Sequence, residues 1–240
     1  MASLPSLPAG YRALVVGAGG AIGSALLRAL RADPRCAAAI GLGRRGGDAG
    51  LPAFDLEDPA SIEAAATAAR ALGPFHLVLI ATGTLQPGGR PPEKRLADLD
   101  AATLARAFAI NATGPTLLLR HLHEALPLKE RALVAVLSAR VGSIGDNRKG
   151  GWYAYRAAKA ALNMLLKTTA IEVARRRPLA VLVALHPGTV QSALSAPFAG
   201  DAETTDPDTA AQNLLRVLNA LPAEGASGSF LAWDGQPVPW

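Results

Sequence analysis

The sequence predicts an α/β fold: one domain built on a doubly wound parallel sheet of about seven strands, with helices on both faces. Two observations carry that expectation. Short, nearly continuous apolar runs alternate with longer segments rich in Ala, Leu, Arg and Glu, and the runs lack the polar alternation of a half-exposed sheet, as parallel strands covered on both faces require. The chain has 240 residues, is half hydrophobic and only 18% charged, so it can bury such a core.

Taken in order, Ala13 to Val16 reads as the first strand, Ala21 to Arg31 as the first helix and Ala37 to Leu42 as the second strand. Ala60 to Leu72 reads as a helix, Leu77 to Ala81 as a strand, Ala101 to Leu126 as one long helix and Leu133 to Leu137 as a strand. Tyr155 to Arg176 is a helix, Leu179 to Leu185 a strand, Asp208 to Leu221 a helix entered through Pro207, and Gly228 to Trp233 a last strand-like segment. No linker interrupts this series, so residues 1–240 are expected to form a single domain. Two long connections, Thr82 to Ala97 and Thr189 to Asp206, follow carboxyl ends of strands, the edge where open α/β sheets bind ligands. The second, about 189–206, is the expected substrate loop.

Composition excludes several function classes. The formal charge is +5, but the basic residues are scattered, and the densest run, Arg175 to Arg177, falls at an expected helix end where the dipole favours cations; nucleic-acid binding is not expected. The apolar run Ala13 to Leu27 after Arg12 resembles the front of a signal peptide, but Gly17, Gly19, Gly20 and Gly23 interrupt it and it is shorter than the roughly 20 residues of a membrane span, so no membrane partner is expected. The one cysteine, Cys36, cannot form an internal disulfide, which suits a reducing cytoplasm. The four histidines show no ligand spacing: His121 and His123 diverge on a helix, and His76 and His186 flank strands, so no metal is expected.

The chemistry lies in three segments. Val16-Gly17-Ala18-Gly19-Gly20-Ala21-Ile22-Gly23 joins the first strand to the first helix; glycines let the amides approach a pyrophosphate whose charge the helix N-terminus favours, the mark of a Rossmann-type dinucleotide site. At the end of the second strand an NAD enzyme carries an acid for the ribose hydroxyls, whereas this chain has Arg44 and Arg45, which suit the 2'-phosphate of NADPH; NADP(H) is expected to be preferred and NAD(H) possible. Asp55, after what should be the third strand, is a candidate contact to the adenine amine or a turn cap. In Gly151-Trp152-Tyr153-Ala154-Tyr155-Arg156-Ala157-Ala158-Lys159, Tyr155 and Lys159 share one helix face, and an ammonium beside a phenol is expected to lower its pKa and assist proton transfer to a carbonyl.

With these segments, the chain resembles the short-chain dehydrogenase/reductase family, and within it the C-factor and sniffer-type carbonyl reductases. Asn111-Ala112-Thr113-Gly114, Ser138 to Gly145, His186-Pro187-Gly188-Thr189-Val190 and Trp233-Asp234-Gly235 to Trp240 add to the likeness. The resemblance implies that Tyr155, Lys159 and Asn111 are catalytic, with Asn111 bending its helix and anchoring a water. It also implies that Gly17, Gly19, Ala21, Ile22, Gly23, Leu56, Ala81, Thr82, Gly83, Pro187, Gly188 and Val190 border the cofactor, and that the chain forms a homodimer or homotetramer. The sequence departs from the family at Ala21, at Ala81-Thr82-Gly83, at Ser192 in place of threonine, and at Ser138-Ala139, where relatives carry two serines and the second binds the substrate carbonyl. Ser138 is then a candidate for the serine role, with Ser143 four residues beyond Ala139. The expected function is NADPH-dependent reduction of an aldehyde or ketone, or the reverse oxidation. The alternative is a low-turnover cofactor-binding signalling or regulatory protein on the same scaffold.

Overall fold

In the computed structural model, which describes residues 3–198 and 203–240, seven strands form one sheet: β1 (Tyr11–Val16), β2 (Cys36–Gly43), β3 (Gly46–Gly47), β4 (Leu77–Ile80), β5 (Ala132–Leu137), β6 (Ala180–His186) and β7 (Ser229–Ala232). Their order is β3-β2-β1-β4-β5-β6-β7, and every neighbouring pair is parallel except β2 with β3. Around the sheet lie α1 (Ala21–Arg31), α2 (Pro59–Arg70), α3 (Ala101–Phe108), α4 (Gly114–Leu122), α5 (Tyr153–Ala174) and α6 (Pro207–Ala220).

Strand alternation builds two cores. Leu14 and Val16 of β1, with Val134 and Val136 of β5, pack against α2, α4 and α5, while Ala13, Val15, Leu133 and Ala135 pack against α1 and α6. The chain leaves β1 toward β2 on one side and returns to β4 on the other, so the connections part at the carboxyl ends of β1 and β4 and open a crevice there.

Two expectations are corrected. No strand precedes Asp55: residues 51–54 run unpaired, with Leu51 and Phe54 buried in the core, and the third strand is instead the antiparallel stub Gly46–Gly47. Gly46, at φ +95°, turns the chain back over the rim of β2, where Asp48 Oδ2 accepts the Gly41 N–H at 2.6 Å, and Pro52 has no N–H to give a ladder. The long helix Ala101 to Leu126 is broken in the middle by a π-helical turn, Ala109–Thr113. Pro115 has no N–H for the carbonyl of Asn111 four residues back, and the wider turn absorbs the missing bond.

Three helices start on side-chain caps. Asp58 accepts from Ala60 N, Asp100 from Thr103 N, and Asp206 from Asp208 N and Thr209 N. The helices α1 and α5 begin at Gly20 and Trp152, neither of which supplies a cap from its side chain.

Candidate active site

The glycine turn is held by Gly17 N and Ala18 N, which donate to Leu42 O at 2.8 and 3.1 Å. Gly17 has φ +88°, and a Cβ there would lie 2.6 Å from the Ala81 carbonyl oxygen; a Cβ on Gly23 would run into the Gly17 carbonyl. These glycines let the turn between β1 and α1 lie flat against the end of β4. Nothing lies within 4 Å of a Cβ built on Gly19, and α1 has no acid in its first turn and no side-chain cap. That geometry fits a dinucleotide pyrophosphate. Ala21 and Ile22 are half-buried at the head of α1. Arg44 and Arg45 are exposed just beyond β2, and neither forms an ion pair among the described residues. Thr82 Oγ1, beside Gly17, is buried without a hydrogen-bond partner among the described residues.

Asp55 is exposed, and its Oδ1 accepts the Glu57 N–H at 2.9 Å, so in this structure it caps a turn. Leu56 packs on the Cα of Gly114, where a Cβ would come within 2.7 Å of it, which explains the glycine that closes the Asn-Ala-Thr-Gly segment.

The π turn brings Asn111 to the crevice. Its side chain is fully buried and grips the backbone of Thr84 twice: Oδ1 accepts from Thr84 N and Nδ2 donates to Thr84 O, each at 2.9 Å. This fixes the chain just past β4 so that Gly83 sits beside both Asn111 and Lys159; a Cβ there would be 3.1 Å from Asn111 Oδ1 and 3.4 Å from Lys159 Nζ. Lys159 Nζ donates to the Leu137 carbonyl at 2.9 Å and lies 5.9 Å from the centre of the Tyr155 ring. Burial pushes the Tyr155 phenol up to about 12 and pulls the Lys159 ammonium down to about 8. The expectation that the lysine lowers the tyrosine is therefore reversed: both groups are desolvated, and the ammonium is turned to a strand carbonyl.

Ser138, the candidate for the serine role, lies just past the end of β5. It faces the α5 layer, and its hydroxyl donates to Asn163 Oδ1 at 2.6 Å, with the residue 4% exposed. Asn163 lies one helical turn beyond Lys159, so the hydroxyl is bonded below the Tyr155–Lys159 pair. Ser143 is also buried, and its Oγ accepts the Asp146 N–H. Ala139 stands half-exposed at the turn where β5 leads toward α5.

The entry to α5 contains residues that the sequence alone did not single out. Gly150, Gly151 and Trp152 all have left-handed φ, near 60°. For tryptophan this costs about 1–2 kcal/mol, so it persists only where the surroundings impose it. They do. Glu93, buried in the loop after β4, accepts the Trp152 N–H on its carbonyl at 2.5 Å and the Ala154 N–H on its carboxylate at 3.2 Å. Arg156 donates from Nε to the carbonyls of Gly150 and Gly151 and from Nη1 to that of Val141. The indole of Trp152 then stands edge-on to the Tyr155 ring, centroids 6.5 Å apart, and to Phe198 at 5.6 Å. Nothing in local spacing signals Glu93, whereas Arg156 was visible inside the Tyr-x-x-x-Lys segment.

Phe198 belongs to the expected substrate loop, of which residues 199–202 lie outside the described residues. The neck of that loop is tied: Val190 is buried and bridges Thr205, Gln191 N donates to Thr205 O, and Thr205 N donates to Thr189 O. Gly188, at φ +82°, lies against Trp233, and Pro187 leads into it from the end of β6. His186 is half-buried, and its Nδ1 is buried without a partner among the described residues; desolvation first, and Arg140 second, pull it down to about 4. His76 bridges Arg12 N and Glu130. Among the described residues no three His, Cys, Asp or Glu side chains are grouped to hold a metal ion, and no helix is long and apolar enough to cross a membrane.

The family model described as enoyl-(acyl carrier protein) reductase matches residues 30–236. The C-signal protein of Myxococcus xanthus is 43% identical over 149 residues, covering 60% of this chain and 83% of that protein. The short-chain dehydrogenase srdF of Neurospora crassa is 33% identical over 193 residues, 76% of this chain and 72% of its own. Among solved structures, the NADPH-bound carbonyl reductase from chicken fatty liver superposes with a TM-score of 0.78 at 25% identity, over 98% of this chain and all (100%) of that one.

Proposed function

The chain belongs to the short-chain dehydrogenase/reductase family, and on that premise we propose that it is an NADPH-dependent enzyme that reduces an aldehyde or ketone, with Tyr155 as proton donor. The observation that carries this reading is the pairing of Tyr155 with Lys159 on successive turns of α5, at the sheet edge where Gly83 and Asn111 also meet. A bound reduced nicotinamide supplies the hydride. Gly17, Gly19, Ala21, Ile22 and Gly23 form the pyrophosphate turn, and Leu56, Ala81, Thr82, Gly83, Pro187, Gly188 and Val190 border the remainder of the cofactor. Asp55 reaches the adenine by exchanging its bond to Glu57. The exposed guanidiniums of Arg44 and Arg45, which form no ion pair among the described residues, favour NADPH, with NADH a weaker substitute.

With its pKa pushed up to about 12, Tyr155 is a protonated phenol at neutral pH and can give its proton to a carbonyl oxygen that is gaining charge. Lys159 holds the ribose and, titrating near 8, returns a proton to Tyr155 after turnover. Asn111 fixes Thr84 and Gly83 beside it and anchors a water in the relay. The experiment is steady-state NADPH oxidation over a panel of aldehydes and ketones, with Tyr155→Phe as control; equal turnover by the two proteins rules the assignment out.

A second reading, a low-turnover cofactor-binding signalling protein, is favoured by one observation: Ala139 offers the substrate oxygen no hydroxyl, and Ser138 is spent on Asn163. The likeness to the C-signal protein agrees with it. It replaces the first reading if NADPH stabilises the protein but no carbonyl in the panel is reduced. In either case Met164, Leu165 and Ile171, exposed on α5, support association of copies as a homodimer or homotetramer, and the free thiol of Cys36 suits a cytoplasmic location.

A further inference from the structure

Position 152 follows two glycines that adopt the same left-handed φ, and a third glycine would continue that turn without strain. The chain places its bulkiest residue type there instead, in a conformation that favours glycine, with Glu93 and Arg156 holding the turn from both sides. Stability of the turn does not account for the indole, so its use lies in where the ring goes. It stands between the ring of Tyr155 and that of Phe198, edge-on to both, and remains partly exposed.

Among the described residues the serines that could orient a substrate beside it are engaged elsewhere. Ala139 has no hydroxyl, and Ser138 is bonded to Asn163. In the loop after β6, Ser192 and Ser195 bond to each other, and Ser195 also donates to Val190 O. A carbonyl compound entering here finds the Tyr155 hydroxyl as its hydrogen-bond donor and aromatic edges beside it, so orientation must come from ring contacts.

We infer that the Trp152 indole, backed by Phe198, is the wall that orients the substrate at Tyr155, and that the substrate class is carbonyl compounds with a flat aromatic or conjugated group next to the carbonyl. The inference rests on the carbonyl-reductase reading and deepens it.

The test compares kcat/KM for benzaldehyde and for propanal with NADPH in the wild-type protein, Trp152→Gly, Trp152→Phe and Phe198→Ala. Trp152→Gly lowers the benzaldehyde-to-propanal ratio by about thirty-fold, as expected for loss of a large ring contact, and Trp152→Phe by only about five-fold. Phe198→Ala shifts the ratio the same way from a different element, and it decides the question if Trp152→Gly does not fold. An unchanged ratio in Trp152→Gly and Phe198→Ala overturns the wall while leaving the reductase reading intact. If the wild-type protein reduces neither these aldehydes nor any carbonyl of the panel, the reductase reading has failed on its own, and calorimetry of benzaldehyde binding to the NADPH-loaded protein judges the wall. Weaker binding in both variants sustains it, and equal binding overturns it.

Discussion

The helices α1 and α5 both begin at the carboxyl edge of the sheet, both follow glycine turns, and neither has a side-chain cap of its own, yet their N-termini are used in opposite ways. At α1 no acid stands in the first turn and Gly20 supplies no side-chain cap, which suits the pyrophosphate of the proposed cofactor. At α5 the place is taken internally by Glu93, whose carboxylate accepts Ala154 N and whose carbonyl accepts Trp152 N. A helix N-terminus over a cleft is thus not by itself an anion site. In the proposed reading one end binds, whereas the other is locked, which fixes the first two turns of α5 and with them Tyr155 and Lys159.

The comparison predicts that damage at the two ends separates into binding and chemistry. The largest effect is expected from Tyr155→Phe, which should lower kcat by about two to four orders of magnitude while the thermal stabilisation by NADPH stays as in the wild type. Loss of that stabilisation would mean the two ends are not independent. Next, replacing both Arg44 and Arg45 by alanine should weaken NADPH by roughly 1.5 to 3 kcal/mol, about ten-fold to a hundred-fold, and leave NADH nearly unchanged, as titration calorimetry would read. Equal loss for the two cofactors would remove these arginines from the phosphate site.

Glu93→Ala tests the locked end. It strands the Ala154 N–H and should cost about 1–3 kcal/mol of stability, a fall of several degrees in thermal midpoint, with NADPH affinity preserved. Glu93→Gln, which keeps an acceptor, should lose less; if alanine does no more harm than glutamine, the lock is elsewhere. The smallest expected effect is with pH. Reduction needs Tyr155 protonated, which holds up to about 12, and Lys159 charged, which holds only below about 8. The rate of NADPH oxidation should therefore fall as pH rises through 8, by no more than about ten-fold per unit. A profile flat from pH 7 to about 10 would show that the charge on Lys159 is not required.

What could be read from the chain was what local spacing determines. The glycine turn, the four-residue interval from Tyr155 to Lys159 and the alternation of apolar runs with helices are statements about near neighbours, and the fold follows from them. What could not be read depends on residues far apart. Ser138 is turned from the crevice by Asn163, 25 residues later, and Glu93 reaches Ala154 across 61 residues. The pKa of Tyr155 was misjudged because an interval of four sets which face a residue takes and says nothing of how deeply that face is buried. The missing third strand was a matter of what Asp48 and Gly46 do at the rim of β2, which no apolar pattern encodes.

That rim has a consequence for the molecule in a crowded solution. A parallel sheet ends in two rows of backbone donors and acceptors, each able to recruit a strand from another chain and begin aggregation. On one flank the rim of β2 is met by a stub of two residues and by the charged carboxylate of Asp48 on the Gly41 N–H. On the other, β7 has only four residues, and the following segment folds back on it through Val238 N to Phe230 O and Ala232 N to Gln236 O. Each flank is shortened by the chain's own return, which covers β2 from Gly41 to Gly43 and turns back along β7, so less open edge is left as a template for polymerisation.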